Sequence, residues 1–96
     1  DAVADLEAAV AAAPSSSEAR RLLGVAHAAA GHVDASLKGL AEAIRLAPED
    51  ERAHVAMGRV LTEAGRIEEA ERVLSSHIRR TRRRLAKHPD IFDGPH

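Results

Sequence analysis

The chain has 96 residues with 14 basic and 15 acidic side chains, a formal net charge of −1, no cysteine and one aromatic residue, Phe92. The lack of cysteine excludes a disulfide framework, a thiolate metal site and a cysteine nucleophile. No apolar run approaches the roughly 20 residues that cross a bilayer and nothing at the start resembles a signal peptide, so the cytoplasm is the default expectation for compartment.

In chain order the pattern predicts five helices, near 1–12, 18–30, 34–47, 52–64 and 68–87, joined by the short turns found between packed antiparallel helices. In the first, Val3, Leu6 and Val10 share one face. The second carries Leu22, Leu23, Ala26, Ala29 and Ala30 at three- and four-residue spacings, an amphipathic helix with a small-residue face. Gly31 and Gly65 follow helical runs where the chain needs a left-handed residue to turn back, and Asp34 and Glu68 then place negative charge at the positive end of the next helix. These are helix-turn-helix hairpins. Gly24 and Gly58 lie inside the first helix of each hairpin, at a cost of about 1 kcal/mol each relative to alanine, for which close packing on the second helix is the expected compensation. The last helix has a mostly apolar stripe of Leu74, Ile78, Thr81 and Leu85. Pro89 is expected to stop it at or before His88. Residues 88–96 read as an irregular tail in which Asp93-Gly94-Pro95 forms a turn and Ile91 and Phe92 either fold back or enter a following domain.

Thirty-four residues separate Pro14 from Pro48, Gly24 from Gly58, Gly31 from Gly65 and Ala9 from Ala43, the signature of a stacked array. The residues at the matching places resemble the tetratricopeptide repeat, whose pattern runs W-x2-L-G-x2-Y, A-x3-F, P. In the first full unit Leu23-Gly24, His27, Ser36, Leu40 and Pro48 fill these places, with Arg20 for the Trp. In the second, Met57-Gly58, Leu61, Ala70 and Leu74 do so, with His54 for the Trp and Arg82 for the Pro. Ala2, Leu6 and Pro14 fit the second half of an earlier unit. The expected organisation is therefore 1–14 as the second helix of a truncated repeat, 15–50 and 51–87 as two repeats, and 88–96 as tail. The chain as given opens partway through a repeat, as expected of a fragment or processed product. The resemblance implies an all-α fold of antiparallel hairpins stacked as a short right-handed α-solenoid. The core is expected to be thin, because alanine dominates the apolar residues.

The resemblance also implies a concave groove lined by the first helix of each hairpin, on whose faces lie Glu18, Arg21, Val25 and Ala28, then Arg52, Val55, Arg59 and Thr62. Arg21, Arg52 and Arg59 are suited to a carboxylate or acidic peptide, and Val25 and Val55 to shallow apolar contact. The competing reading is that these arginines pair with Glu18, Glu51 and Glu63 on neighbouring turns. The lysine and asparagine clamp of some family members is not expected, since the chain has no asparagine.

Charge is unevenly placed. Residues 1–78 hold 8 basic and 13 acidic residues, whereas Arg79, Arg80, Arg82, Arg83, Arg84 and Lys87 follow with no acid between Glu71 and Asp90. Cations suit a helix C-terminus, and three readings compete: a solvated cap, a site for an acidic partner or nucleic acid, or contact with an anionic membrane. Nucleic acid is the weaker of these, as no aromatic platform accompanies the arginines. None of the six histidines has HExxH or i, i+4 spacing, so His27 and His54 are expected to pack as flat rings between helices, with a metal bridged by His27, His54 and His77 as the alternative. No cofactor and no enzymatic activity are expected. The expected function is a protein-interaction scaffold, with protein or acidic peptide partners and a homodimer formed through the half-hairpin at the start. The alternative is an accessory segment of a larger enzyme or regulator, and the third reading is nucleic-acid or acidic-partner binding by the arginine helix.

Overall fold

A computed structural model describes residues 1–86 as five helices: α1 (Ala2–Ala12), α2 (Ser17–Ala29), α3 (Val33–Leu46), α4 (Glu51–Glu63) and α5 (Ile67–Ala86). Lys87, the helix stop at Pro89, and the tail with Ile91, Phe92 and Asp93-Gly94-Pro95 lie outside the described residues. Helices α2 to α5 each begin, and α2 to α4 each end, one residue before the positions expected from the pattern. The starts of α2 and α4 are set by capping. Ser16 and Asp50 sit outside the helix with nearly identical extended backbones, and their side chains accept from Ala19 N at 3.1 Å and Arg52 N at 3.0 Å. Each cap satisfies one of the amides that a helix start leaves without a partner, so residues 17 and 51 are already helical.

The ends are set by proline and glycine. Ala13 and Ala47 close α1 and α3 with φ near −140° (−138° and −141°), because the following Pro14 and Pro48 exclude the helical conformation. Gly31 and Gly65 have φ of +86° and +81°. Around them the amide two places beyond the cap reaches back five residues, His32 N to His27 O and Arg66 N to Leu61 O, both at 2.8 Å. The glycine amides bond Ala28 O and Thr62 O at 3.0 Å, completing the same Schellman turn twice.

Each helix packs on its neighbour in the chain, and α2 also touches α4. This is an all-α stack of antiparallel hairpins, two helices thick. The core lies among α3, α4 and α5, where Leu40, Ala43, Ala53, Val60, Leu61 and Ala70 are buried. A Cβ on Gly24 would lie 2.8 Å from Leu40 Cγ, and one on Gly58 would lie 2.7 Å from Leu74 Cδ2. The helix glycines are therefore the sockets into which the second helix of each hairpin inserts its leucine. α1 has no buried residue, and its Val3, Leu6 and Val10 are half-buried.

Candidate functional site

On the face shared by α2 and α4, Val25 and Val55 are 43% and 47% exposed, a large fraction for aliphatic side chains in helices that also feed the core. Val25 and Ala28 line a hollow of 280 Å³ together with Ala29, Val33, Val60, Glu63 and Ala64. The hollow thus runs from the end of α2 to the end of α4. Arg52 is already engaged, its Nε donating to Asp50 Oδ1 at 3.1 Å. Partial burial works against the charge on Asp50. The side-chain and backbone hydrogen bonds from Arg52, with the fields of Arg52 and Arg21, outweigh that and hold the carboxyl below its usual range. Glu18 lies near enough to add to the field on Arg52. Arg21 and Arg59 form no ion pair with the described residues. The Arg21 Nε is buried and has no hydrogen-bond partner among the described residues. Thr62 spends its hydroxyl on the Gly58 carbonyl one turn back, at 2.8 Å, and so offers the groove mainly its methyl group.

The arginines of α5 divide by face. Arg80 Nη1 donates to Pro48 O at 2.7 Å and lies 3.0 Å from His54 Nε2, and Arg84 reaches Glu49 at 3.1 Å and Glu51 at 3.4 Å. These two clamp the α3–α4 turn to the last helix. Arg79, Arg82 and Arg83 are exposed, and Ser76, Arg79, Arg80 and Arg83 line a hollow of 160 Å³. Ile78, placed by its spacing on the apolar stripe, is 50% exposed, whereas Leu74, Thr81 and Leu85 are half-buried.

The histidines form two separate pairs. His54, 5% exposed, stacks on His77 with centroids 5.2 Å apart and planes 17° from parallel. His27 tilts against His32 at 5.5 Å, with their Nδ1 atoms 3.3 Å apart. The three-histidine bridge is therefore not formed. Among the described residues no group of three or more His, Cys, Asp or Glu side chains is arranged to hold a metal, and no helix is long and apolar enough to cross a membrane.

Two family models, each described as tetratricopeptide repeat, match residues 37–87 and residues 1–51. The chain belongs to the tetratricopeptide-repeat family. Repeats of this family are generally protein–protein interaction modules. No curated protein and no solved structure matches the chain significantly.

Within this tetratricopeptide-repeat protein the internal symmetry explains contacts that sequence reasoning missed. Arg20 Nε donates to Pro14 O at 2.7 Å, and thirty-four residues on, His54 Nε2 lies 2.9 Å from Pro48 O. The position that the family fills with Trp lies against the carbonyl of the preceding proline in both units. A guanidinium only donates, so the Arg80 contact needs a bare Nε2, with the His54 proton on Nδ1. In that tautomer Arg80 alone serves the Pro48 carbonyl and bridges it to the ring. Val60, Glu63 and Ala64 were also missed as groove lining. The available signal was the continuation of the Val25, Ala28, Ala29 line onto the equivalent end of the next first helix.

Proposed function

We propose that this chain is a non-catalytic interaction module that holds a protein or peptide partner against the α2 and α4 face, and that the partner presents a carboxylate beside an aliphatic side chain. The Arg21 guanidinium carries the reading: beside the exposed Val25, it forms no ion pair with the described residues, so its charge is available to a ligand carboxylate. Val25 and Val55 supply the adjoining apolar contact, and the hollow beyond Val25 accepts an aliphatic side chain. Arg59 provides a second cation on the same face.

The test is to pan a random-peptide display library on the purified chain and titrate the enriched sequences. Asp or Glu next to Leu, Ile or Val is the expected consensus. Arg21→Glu with Arg59→Glu is expected to weaken binding at least about tenfold, while Arg45→Glu, outside this face, leaves it within about twofold. Enrichment without acidic residues, or binding indifferent to the double substitution, would overturn the proposal.

Self-association is proposed for the other end of the stack, because Val3, Leu6 and Val10 of α1 stay half-buried against α2. Light scattering across a concentration series is expected to show a mass rising towards twice that of the chain, and a constant monomer mass up to the highest concentration would remove this part of the proposal.

A further inference from the structure

We infer that α5 carries a second ligand site, a phosphate-binding hollow formed by Ser76, Arg79, Arg80 and Arg83, which takes a phosphorylated side chain of a protein partner. The inference rests on the interaction-module reading for the nature of the partner, but on a different face for the contact. The four residues are spaced i, i+3, i+4 and i+7, so they rise along one side of the helix, and together they line a hollow of 160 Å³, of a size for one tetrahedral anion with its hydration rather than a long chain.

Three features set these arginines apart from a solvated charge run. Arg84, on the neighbouring face, is neutralised by Glu49 and Glu51, whereas Arg79 and Arg83 form no ion pair with the described residues. Like charges one turn apart cost helix stability, so Arg79 and Arg83 repel each other until an anion lies between them. Arg80 is held in place, because its Nη1 spends its hydrogens on Pro48 O and against His54 Nε2. That leaves Nε and Nη2 as donors whose position is fixed before a ligand arrives. A dianionic phosphate monoester offers three strong acceptor oxygens to these guanidinia and to the Ser76 hydroxyl. The described residues include no Trp, Tyr or Phe on which bases would stack, which favours a phosphorylated side chain over single-stranded nucleic acid.

The probes are the peptide Gly-Gly-phosphoserine-Gly-Gly, its unphosphorylated twin, and a mixed-sequence 12-nucleotide single-stranded DNA, titrated into the 15N-labelled chain while the arginine Nε–H signals are followed. The phosphopeptide is expected to give a saturable shift at Arg79, Arg80 and Arg83, with the twin binding at least about tenfold more weakly. Arg79→Gln with Arg83→Gln is expected to weaken the phosphopeptide about tenfold or more. Arg72→Gln with Arg82→Gln removes the same charge outside the hollow and is expected to change it by about twofold at most. Circular dichroism at equal helix content verifies that each variant is folded. Equal losses in the two double variants, or no saturable phosphopeptide shift, would overturn the site. DNA binding that shifts all the α5 arginines together, with a steep dependence on salt, would replace it with a nucleic-acid surface. Arg21→Glu with Arg59→Glu is expected to leave the phosphopeptide shift intact, so failure of the α2 and α4 face and failure of this hollow are read separately.

Discussion

At the scale of single residues, the glycines show how two similar sequence features carry opposite energetics. A Cβ at position 24 would meet Leu40 Cγ at 2.8 Å and the Ser36 carbonyl at 3.2 Å, and Leu40 is fully buried with nowhere to retreat. Gly24→Ala therefore gains about 1 kcal/mol of helix propensity and loses more to overpacking, for an expected net destabilisation of about 1–2 kcal/mol. Gly58→Ala presses on Leu74, which is only half-buried, and is expected to cost less. Gly39 is the counter-example, since its Cβ would lie no closer than 3.6 Å to any neighbour. Gly39→Ala is expected to stabilise by up to about 1 kcal/mol. Urea midpoints at unchanged m-value would show the three in that order, and a stabilising Gly24→Ala would refute the socket account. Ser36 is the second residue-scale anomaly: it is fully buried and its hydroxyl has no partner among the described residues, while the equivalent Ala70 has no hydroxyl to satisfy. Ser36→Ala removes a desolvated hydroxyl and is expected to be neutral or to stabilise by about 1 kcal/mol. A loss larger than that would mean that the hydroxyl is bonded after all.

At the scale of elements, the joint between repeats is held by the start of α4 and the middle of α5. Arg80→Ala removes the bridge between the Pro48 carbonyl and the His54 ring, which His54 Nε2 at 2.9 Å from that carbonyl replaces in part by changing tautomer, and is expected to cost up to about 1 kcal/mol. Arg84→Ala removes exposed ion pairs to Glu49 and Glu51 and is expected to stay within about 0.5 kcal/mol of the parent. Equal effects would mean that the clamp is generic charge attraction. The helices also respond to pH, at this joint and beside it. Asp50 is held below its usual range by Arg52 and Arg21 against the opposing effect of burial, Glu42 by the hydrogen bond from Arg45, and Glu69 by the paired bonds from Arg66 at 3.0 and 2.9 Å. All three are depressed in the folded state, so the unfolded chain takes up protons first as pH falls. Their stabilisation is complete above the ordinary carboxylate range and is lost as the pH drops through it. The urea midpoint is expected to fall between about pH 5 and pH 3. Asp50→Asn keeps a side chain able to cap α4 but removes the titration and the charged bond to Arg52, so it should be less stable than the parent near pH 7, converge with it at about pH 3, and show a flatter acid-side slope. An unchanged slope would show that Asp50 does not contribute.

At the scale of the whole molecule, the extents of 53 × 31 × 19 Å and a radius of gyration of 15.4 Å describe an elongated slab, against about 13 Å for a compact chain of 100 residues. That shape follows from contacts that link each helix to its immediate neighbours in the stack. The architecture was legible from the 34-residue interval, because Gly31 and Gly65 need a left-handed backbone and Gly24 and Gly58 need a close neighbour wherever they stand. The contacts of α5 with the Pro48 turn were not legible, because Arg80, His54 and His77 meet only through the packing of α4 on α5, which no local spacing encodes. For the same reason the basic run could not be divided by eye into Arg80 and Arg84, which clamp the fold, and Arg79, Arg82 and Arg83, which face solvent. Stability in such a stack is close to a sum of neighbouring interfaces, so it need not be uniform along the chain. Buried side chains concentrate in α3, α4 and the start of α5, while α1 has none and rests on α2 alone. Hydrogen exchange by NMR is therefore expected to show amides of α1 opening locally, well below the global unfolding free energy, and those of α3 and α4 around Leu40, Ala43 and Leu61 exchanging only on global unfolding. Because α1 is also the proposed self-association surface, raising the protein concentration should protect it selectively by mass action. Protection in α1 equal to that of α4 at the lowest concentration would show that the stack behaves as one cooperative unit despite its uneven burial.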